Sequence, residues 1–359
     1  MNAASRTLLV MAGGTGGHVF PALAVADWLR ERGWHVVWMG TPNGMEARLV
    51  PEKGYAMEFV RFGGVRGKGA LRWALLPLQL LGAFARSIGV LLRVRPDVVL
   101  GMGGFTAFPG GLMAVLLARP LVIHEQNSVA GLTNKVLARL ADRVLTAFPA
   151  PFGKGVASVA VGNPVRADIA ALPAPEARLA GREGRLRLLV VGGSLGAQAL
   201  NEAVPQALAL LPETERPEVV HQSGMKQLDA LRANYEKAGV QADIRPFIDD
   251  MAREIAWCDL MVCRAGALTL AEVTAAGVAS VLVPYPHAVD DHQTHNARHL
   301  ADHGAAILLP QPQLTAQRLA EILRGMTRGK LLDMAQAARG LAKPDATADV
   351  AQACMELAG

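Results

Sequence analysis

Cysteine is scarce in this chain. Cys258, Cys263 and Cys354 are the three among 359 residues, an odd number with no CxxC pair. That excludes a disulfide framework and a structural zinc site, and makes a reducing cytoplasm the expected compartment. Aromatic residues make up 5% and charged residues 19%, against 51% hydrophobic. Intrinsic disorder needs the opposite balance, low hydrophobicity with high net charge. A strong charge of either sign is also missing: 36 Lys and Arg against 31 Asp and Glu leave +5. So slight an excess suits anionic partners such as nucleotides, polyphosphates or phospholipids, but not the groove of duplex DNA.

Two apolar stretches that could target or anchor a chain are each interrupted. The apolar stretch Thr7–Ala12 ends at Gly13, too short for the core of a signal peptide. Val98–Ala118 carries no charge over 21 residues, but its five glycines and Pro109 divide it into a strand, a glycine loop and a buried helix. A soluble or peripheral protein of two domains is expected from this length.

What the sequence does have is a repeated unit: a short Val- or Leu-rich run, then glycines, then an Ala/Leu helix. It appears as Thr7–Met11 with Pro21–Arg32, Asp97–Leu100 with Gly111–Ala118, Arg187–Val191 with Ala197–Leu211, and Leu260–Cys263 with Leu268–Ala276. Further strands are expected at His35–Met39, Leu121–His124, Arg143–Thr146, Glu218–Gln222 and Ser280–Val283. Alternation of strands with helices implies a parallel sheet covered on both faces, and continuous apolar runs fit strands buried on both sides. A coarse internal repeat is visible, since Gly13–Gly16 and Gly192–Gly196 each follow the first strand of a half. The boundary is expected near Gly162-Asn163-Pro164, with Ala171–Glu183 as a surface loop. In open α/β sheets ligands bind beyond the carboxyl ends of the strands, where both loops lie.

Gly13–Gly17, ending at His18, would let backbone approach an anion at a helix start. It is not a dinucleotide fingerprint, because Val19 stands where the third glycine belongs and no acid closes the second strand at Trp38-Met39-Gly40. Gly192–Gly196 reads equally as a turn or a phosphate loop, and its Ser194 adds a hydroxyl donor. Arg264–Glu272 follows the strand Leu260–Cys263 with small residues that open a helix. Its free N–H groups suit a diphosphate. Glu272, about one turn in, suits either a ribose diol or the helix macrodipole. His124-Glu125-Gln126-Asn127 places four polar residues at a strand's carboxyl end. His287–Asn296 is rich in His and Asp, but neighbours in sequence make a strained metal site, and sugar recognition or capping fits better. Val65–Arg95 interleaves Arg66, Lys68, Arg72, Arg86, Arg93 and Arg95 with Trp73 and several leucines. It suits the face of an anionic membrane or an ordinary core helix with a cationic outer side.

The blocks GGTGGHVFPALAVA, GMGGFTAFPG, HEQNSVAGLTNK, GNPVR, GGSLGAQALN, FIDDM, CRAGALTLAE and DHQTHNA occur in that order from Leu8 to about Ala305. Together they resemble the bacterial MurG family, the undecaprenyldiphospho-muramoylpentapeptide β-N-acetylglucosaminyltransferases that form lipid II in peptidoglycan synthesis. The resemblance implies an α/β GT-B fold, two Rossmann-like domains with parallel sheets facing a central cleft. Residues 1–163 would form the domain for the lipid acceptor and the membrane, and residues 164–340 the UDP-GlcNAc domain. Residues 341–359 would be a C-terminal helix packing back on the first. It further implies transfer of GlcNAc with inversion to the C4 hydroxyl of MurNAc in undecaprenyl-diphospho-MurNAc-pentapeptide, at the cytoplasmic face of the membrane. Carried over from the family, the donor site comprises Thr15, Gly16, Gly17, Asn127, Arg166, Ser194, Ile248, Ala267, Leu268, Thr269, Leu270, Ala271, Glu272 and Gln293, with Arg264 and Asn296 in support. Ile248 would meet uracil through its backbone, Glu272 the ribose, Arg166 and Ser194 the diphosphate, and Gln293 and Asn127 the sugar.

The chemistry follows from the charge that develops. UDP leaves as an anion, which helix N–H groups and Arg166 would stabilise without a metal or cofactor. Inversion takes one displacement and a base on the acceptor side, for which His18 and then Glu125 are the candidates. Two other readings compete: a UDP-GlcNAc 2-epimerase of the same fold, and a non-catalytic nucleotide-sugar-binding membrane protein.

Overall fold

The computed structural model describes residues 5–62, 70–193 and 196–359, and of residues 70–75 the backbone course alone. The chain forms two compact units, Met1–Arg166 with Pro344–Gly359, and Ala167–Lys343.

The first unit runs β1 (Thr7–Met11), α1 (Gly16–Arg30), β2 (His35–Gly40), α2 (Glu46–Glu52), β3 (Ala56–Phe59) and α3 (Ala70–Val94). It continues with β4 (Val98–Gly101), α4 (Ala107–Leu116), β5 (Leu121–Glu125), α5 (Leu132–Leu137), β6 (Arg143–Thr146) and β7 (Val159–Ala160). The strands pair in the order β3-β2-β1-β4-β5-β6-β7, parallel throughout.

Successive residues of a strand face opposite sides of the sheet. On one side Leu8, Val10, Trp38, Leu100 and Val122 join the buried residues of α1. On the other Leu9, Met11, Val37, Met39, Val99 and Ile123 join Val90, Leu91 and Met113 of α3 and α4. Both faces are therefore core, which is why these strands read as unbroken apolar runs.

The second unit runs α6 (Ala167–Ala170), α7 (Pro175–Leu179), β8 (Arg187–Val191), α8 (Gln198–Ala209), β9 (Glu218–Gln222), α9 (Leu228–Ala238), β10 (Asp243–Arg245) and α10 (Met251–Trp257). Then follow β11 (Leu260–Cys263), α11 (Ala267–Ala276), β12 (Ala279–Leu282), α12 (His292–Ala301), β13 (Ala306–Leu308), α13 (Ala316–Arg324) and α14 (Arg328–Gly340). Its sheet is parallel in the order β10-β9-β8-β11-β12-β13. The last helix, α15 (Ala346–Ala358), belongs to the first unit, where Val350, Ala351 and Cys354 lie in the same core cluster as Leu8 and Val10. Arg6 holds its end by donating to the Ala358 carbonyl at 2.6 Å and to the Gly359 carbonyl.

Three local expectations need correcting. Helix α1 starts at Gly16, not Pro21: the Thr15 carbonyl accepts the His18 and Val19 N–H groups at 3.1 and 3.2 Å, so Gly16, Gly17 and His18 are its first turn. Helix α4 starts at Ala107, not Gly111, because Pro109 stands in its first turn, where a missing N–H costs nothing. Ala171–Glu183 is more than a surface loop. It contains α7, and Arg178 donates to the Ala276 carbonyl at 2.6 Å while Arg182 donates to the Trp257 carbonyl at 2.8 Å.

Helix α3 packs by a stripe at helical spacing, Ala83, Ser87, Val90 and Leu91, all buried. Its outer side shows Leu78, Leu81 and Leu92 at 67, 63 and 57% exposure, together with exposed Arg86. Arg93 is engaged by Glu58 through a 2.6 Å ion pair. Residues 76–94 have a mean hydropathy of 1.3, long and apolar enough by length and composition to cross a membrane. Arg66 and Lys68 lie outside the described residues, as do the side chains of Arg72, Trp73 and Leu75.

Candidate active site

Each sheet has one switch point, where neighbouring strands lead off in opposite directions: β1 against β4, and β8 against β11. Such points leave a crevice at the carboxyl ends of the strands.

In the second unit, the chain leaving β11 enters α11 through Arg264, Ala265 and Gly266. Gly266 is the N-cap and makes no side-chain bond to the helix, so the first-turn N–H groups are left for something other than a cap. By contrast, α13 and α14 are capped by Thr315 and Thr327, which accept from the Arg318 and Lys330 N–H groups at 3.1 and 3.3 Å. Ala267 and Leu270 face the core, while Leu268, Thr269 and Ala271 are half-buried. Glu272 is buried at 8% exposure, close enough to Cys263 for its charge to act on that thiol. Burial pushes the Cys263 thiol up to about 12, with Cys258 and Glu272 adding to the effect.

Arg264 is half-buried and braces the neighbouring strand end. It donates to the Val283 and Pro284 carbonyls, both at 3.1 Å, and to Gln311 Oε1 at 2.7 Å. Asn296, fully buried on α12, donates to the Ala265 carbonyl at 3.3 Å and so steadies the entry to α11. Gln293 Oε1 accepts the Tyr285 N–H at 2.9 Å. The Ile248 N–H is taken by Gln222 Oε1 at 3.0 Å. In the His/Asp stretch, Thr294 donates to Asp291 at 2.7 Å and His292 Nδ1 meets the Val289 carbonyl at 2.8 Å. Ser194 lies outside the described residues.

In the first unit, Thr15 is the exposed N-cap of α1, and its side chain makes no capping bond. Gly16, Gly17 and His18 follow, half-buried. His18 Nδ1 lies 3.0 Å from Gln126 Oε1. Glu125 is buried at 2% exposure, and its two oxygens take four donors. One accepts from Asn127 N and Nδ2 at 3.0 and 3.3 Å, the other from Gly131 N and Asn134 Nδ2 at 3.1 and 2.9 Å. Those bonds fold the strand-to-helix turn back on itself and fix Asn127. Arg166 stands 5.9 Å from the centre of the Phe20 ring.

Sequence reasoning missed Glu46. Its side chain is completely buried against the first glycine loop and accepts from Gly14 N at 3.1 Å, Thr41 N at 3.0 Å and Thr41 Oγ1 at 2.8 Å. A Cβ on Gly13 would come within 2.5 Å of its carboxylate, and one on Gly40 within 2.7 Å of its Cγ. Those glycines make room for a carboxylate that holds the loop. Nothing in the local pattern around Glu46 announces this, since Thr41 is near in sequence but the Gly14 loop it holds belongs to another segment.

The glycosyltransferase family 28 N-terminal domain matches residues 8–146, and the family's C-terminal domain matches residues 187–350. The UDP-N-acetylglucosamine–N-acetylmuramyl-(pentapeptide) pyrophosphoryl-undecaprenol N-acetylglucosamine transferase of Cupriavidus metallidurans is 63% identical, over 99% of both chains. The protein of the same description from Aromatoleum aromaticum is 64% identical over 98% of both. Among solved structures, Acinetobacter baumannii MurG is 41% identical, with a TM-score of 0.84, covering 98% of this chain and 99% of that one.

Proposed function

This chain belongs to glycosyltransferase family 28, and from that premise we propose how its two units divide the work of moving GlcNAc from UDP-GlcNAc to the C4 hydroxyl of MurNAc in undecaprenyl-diphospho-MurNAc-pentapeptide. The enzyme is an N-acetylglucosaminyltransferase of GT-B fold acting in peptidoglycan synthesis. The observation that carries the division of labour is the uncapped start of α11 at a switch point, with a buried carboxylate one turn inside.

The second unit holds the donor. The N–H groups of Ala267, Leu268 and Thr269 take the diphosphate, whose negative charge grows as the bond to the sugar breaks. Ser194 adds a donor and Gln293 reads the sugar, with Arg166 and Asn127 of the first unit assigned to the diphosphate and the sugar by the family pattern. Glu272 accepts from the ribose hydroxyls. The Ile248 N–H is already held by Gln222, so the carbonyl of Ile248 is the group that meets uracil. Arg264 and Asn296 keep the two strand ends in place.

The first unit holds the acceptor. His18 takes the proton of the C4 hydroxyl, whose oxygen forms the new bond to the anomeric carbon on the face opposite UDP. The old C1–O bond breaks with its electron pair passing to the diphosphate oxygen, and the configuration inverts. His18 is preferred to Glu125 because the Glu125 carboxylate is buried with four donors upon it. The first unit also docks on the inner face of the cell membrane. Leu78, Leu81 and Leu92 of α3 enter the interface, while Arg86 meets anionic headgroups. Through its product the enzyme serves cell wall biogenesis, and with it cell shape and division.

Release of UDP, measured with and without a short-chain lipid I analogue, tests the reading. Release that requires the acceptor is expected. Consumption of UDP-GlcNAc without it favours an epimerase, and binding with no turnover favours a sensor.

A further inference from the structure

Within the polar run His124–Asn127, Gln126 carried no role of its own, yet it sits at the centre of a buried chain of hydrogen bonds that ends on His18. The chain can be assigned from groups that only accept. The Gly162 carbonyl lies 2.8 Å from His124 Nε2, so that nitrogen carries a proton. His124 is fully buried, and desolvation holds it down to about 4, the nearby His18 adding to the effect against the Gly162 bond. It is therefore neutral, and its Nδ1 is an acceptor. Gln126, itself 1% exposed, turns its Nε2 toward that Nδ1 at 3.2 Å and toward the Met102 carbonyl at 2.8 Å. Rotating the amide would set its oxygen against two acceptors, so Oε1 must face His18 Nδ1, 3.0 Å away. An oxygen there requires the His18 proton on Nδ1, which leaves the Nε2 lone pair for a substrate proton.

The surroundings are built for this contact. Gly103 has a φ of +90°, and a Cβ on it would come within 2.9 Å of His18 Cε1 and Nδ1 and 3.3 Å of Gln126 Oε1. The ring and the amide thus meet over a backbone that has no side chain to part them. The titratable groups facing the pair are His124 on β5 and Glu125 beside it, whose carboxylate is turned to Asn127, Gly131 and Asn134. On the loop side Glu46 of α2 is turned to Gly14 and Thr41.

We propose that Gln126, oriented by His124 and the Met102 carbonyl, is a positioning residue that fixes His18 in its Nδ1–H tautomer and so presents Nε2 to the acceptor hydroxyl. The inference rests on His18 being the base. The histidine side chain in water favours the other tautomer, which would present an N–H where a lone pair is needed, so the protein has to impose this one.

The first measurement is ¹⁵N NMR of the histidine-labelled full-length protein, with His18 assigned by the signals missing in His18→Ala. Nδ1 protonated and Nε2 bare is expected. A protonated Nε2 in neutral His18 overturns the proposal, and no variant of Gln126 is needed to see it. The second is kinetic. Gln126→Met removes the acceptor while keeping the shape, and should lower kcat by roughly 10- to 100-fold with UDP-GlcNAc binding unchanged. Gln126→Glu restores an acceptor toward His18, and its second oxygen, set against the Met102 carbonyl and His124 Nδ1, keeps a proton to donate to them. It should recover most of the lost kcat. If Gln126→Glu is no better than Gln126→Met, Gln126 is only structural. If NMR gives the Nδ1–H form while His18→Ala keeps full kcat, the base assignment fails and the tautomer assignment stands.

Discussion

Removing the Glu272 carboxylate tests the donor site where its geometry is most specific. The side chain is at 8% exposure, one turn inside a helix whose first N–H groups have no side-chain cap. A carboxylate in that place would repel the diphosphate and accept well from a ribose diol. Hydrogen bonds to a charged acceptor contribute about 1.5–3 kcal/mol each, and with partial compensation by water the pair should be worth about 2–4 kcal/mol. Glu272→Ala should then weaken UDP-GlcNAc binding by roughly 30- to 1000-fold. UDP alone should lose affinity by the same factor, because the ribose is common to both. Glu272→Gln keeps the shape and one weaker acceptor and should fall between. Isothermal titration calorimetry gives the affinities, and thermal unfolding without ligand shows that the variants are folded. If Glu272→Ala binds UDP as tightly as the parent protein, Glu272 does not hold the ribose and the donor site has been placed wrongly.

Other outcomes follow from the same structure. His18→Ala should lower kcat by roughly 10²–10⁴ with little change in UDP affinity, read from steady-state kinetics across pH. An unaltered kcat rules His18 out as the base. Arg86→Ser should weaken co-sedimentation with anionic vesicles by about 1 kcal/mol at low salt. Arg93→Ser should do less, since Glu58 already engages that charge, and binding indifferent to salt refutes the electrostatic part. Glu46→Ala leaves the Gly14 and Thr41 donors without their acceptor and should cost about 2–4 kcal/mol in urea unfolding; a loss below the error of the midpoint would show that the loop does not depend on it. Burial holds His124 down to about 4 and His221 down to about 3. Between those values and the usual 6.5 the unfolded chain binds protons that the folded protein does not, so stability present above pH 6.5 should fall as the pH drops toward 4. A urea midpoint that rises over that range would contradict the assignment.

Much of the architecture could be read from the residues. The strands Arg187–Val191, Glu218–Gln222 and Leu260–Cys263 lie where their apolar runs placed them, because a parallel strand covered on both faces leaves no polar alternation to blur its ends. Helix starts were less legible. Glycines read as loop by composition, but Gly16 and Gly17 wind into α1 once the Thr15 carbonyl finds its partners, and Pro109 is at home in a first turn. The residues proposed to touch ligand sit in short motifs after strands, a pattern visible in the sequence. How those motifs are held was not visible there. Glu46 reaches a loop contributed by another segment, and Gln126 acquires its meaning only from Met102, His124 and His18, which the sheet order brings together.

The central claim is a single displacement of UDP by the C4 hydroxyl of the lipid-linked MurNAc. The most direct measurement is to supply labelled UDP-GlcNAc with a short-chain lipid I analogue, then follow the product by chromatography and its new linkage by proton NMR. One GlcNAc per acceptor, one UDP per transfer and a β-linkage formed from the α-linked donor are predicted. An α-linked product, or loss of UDP with the sugar epimerised and no acceptor consumed, would contradict it.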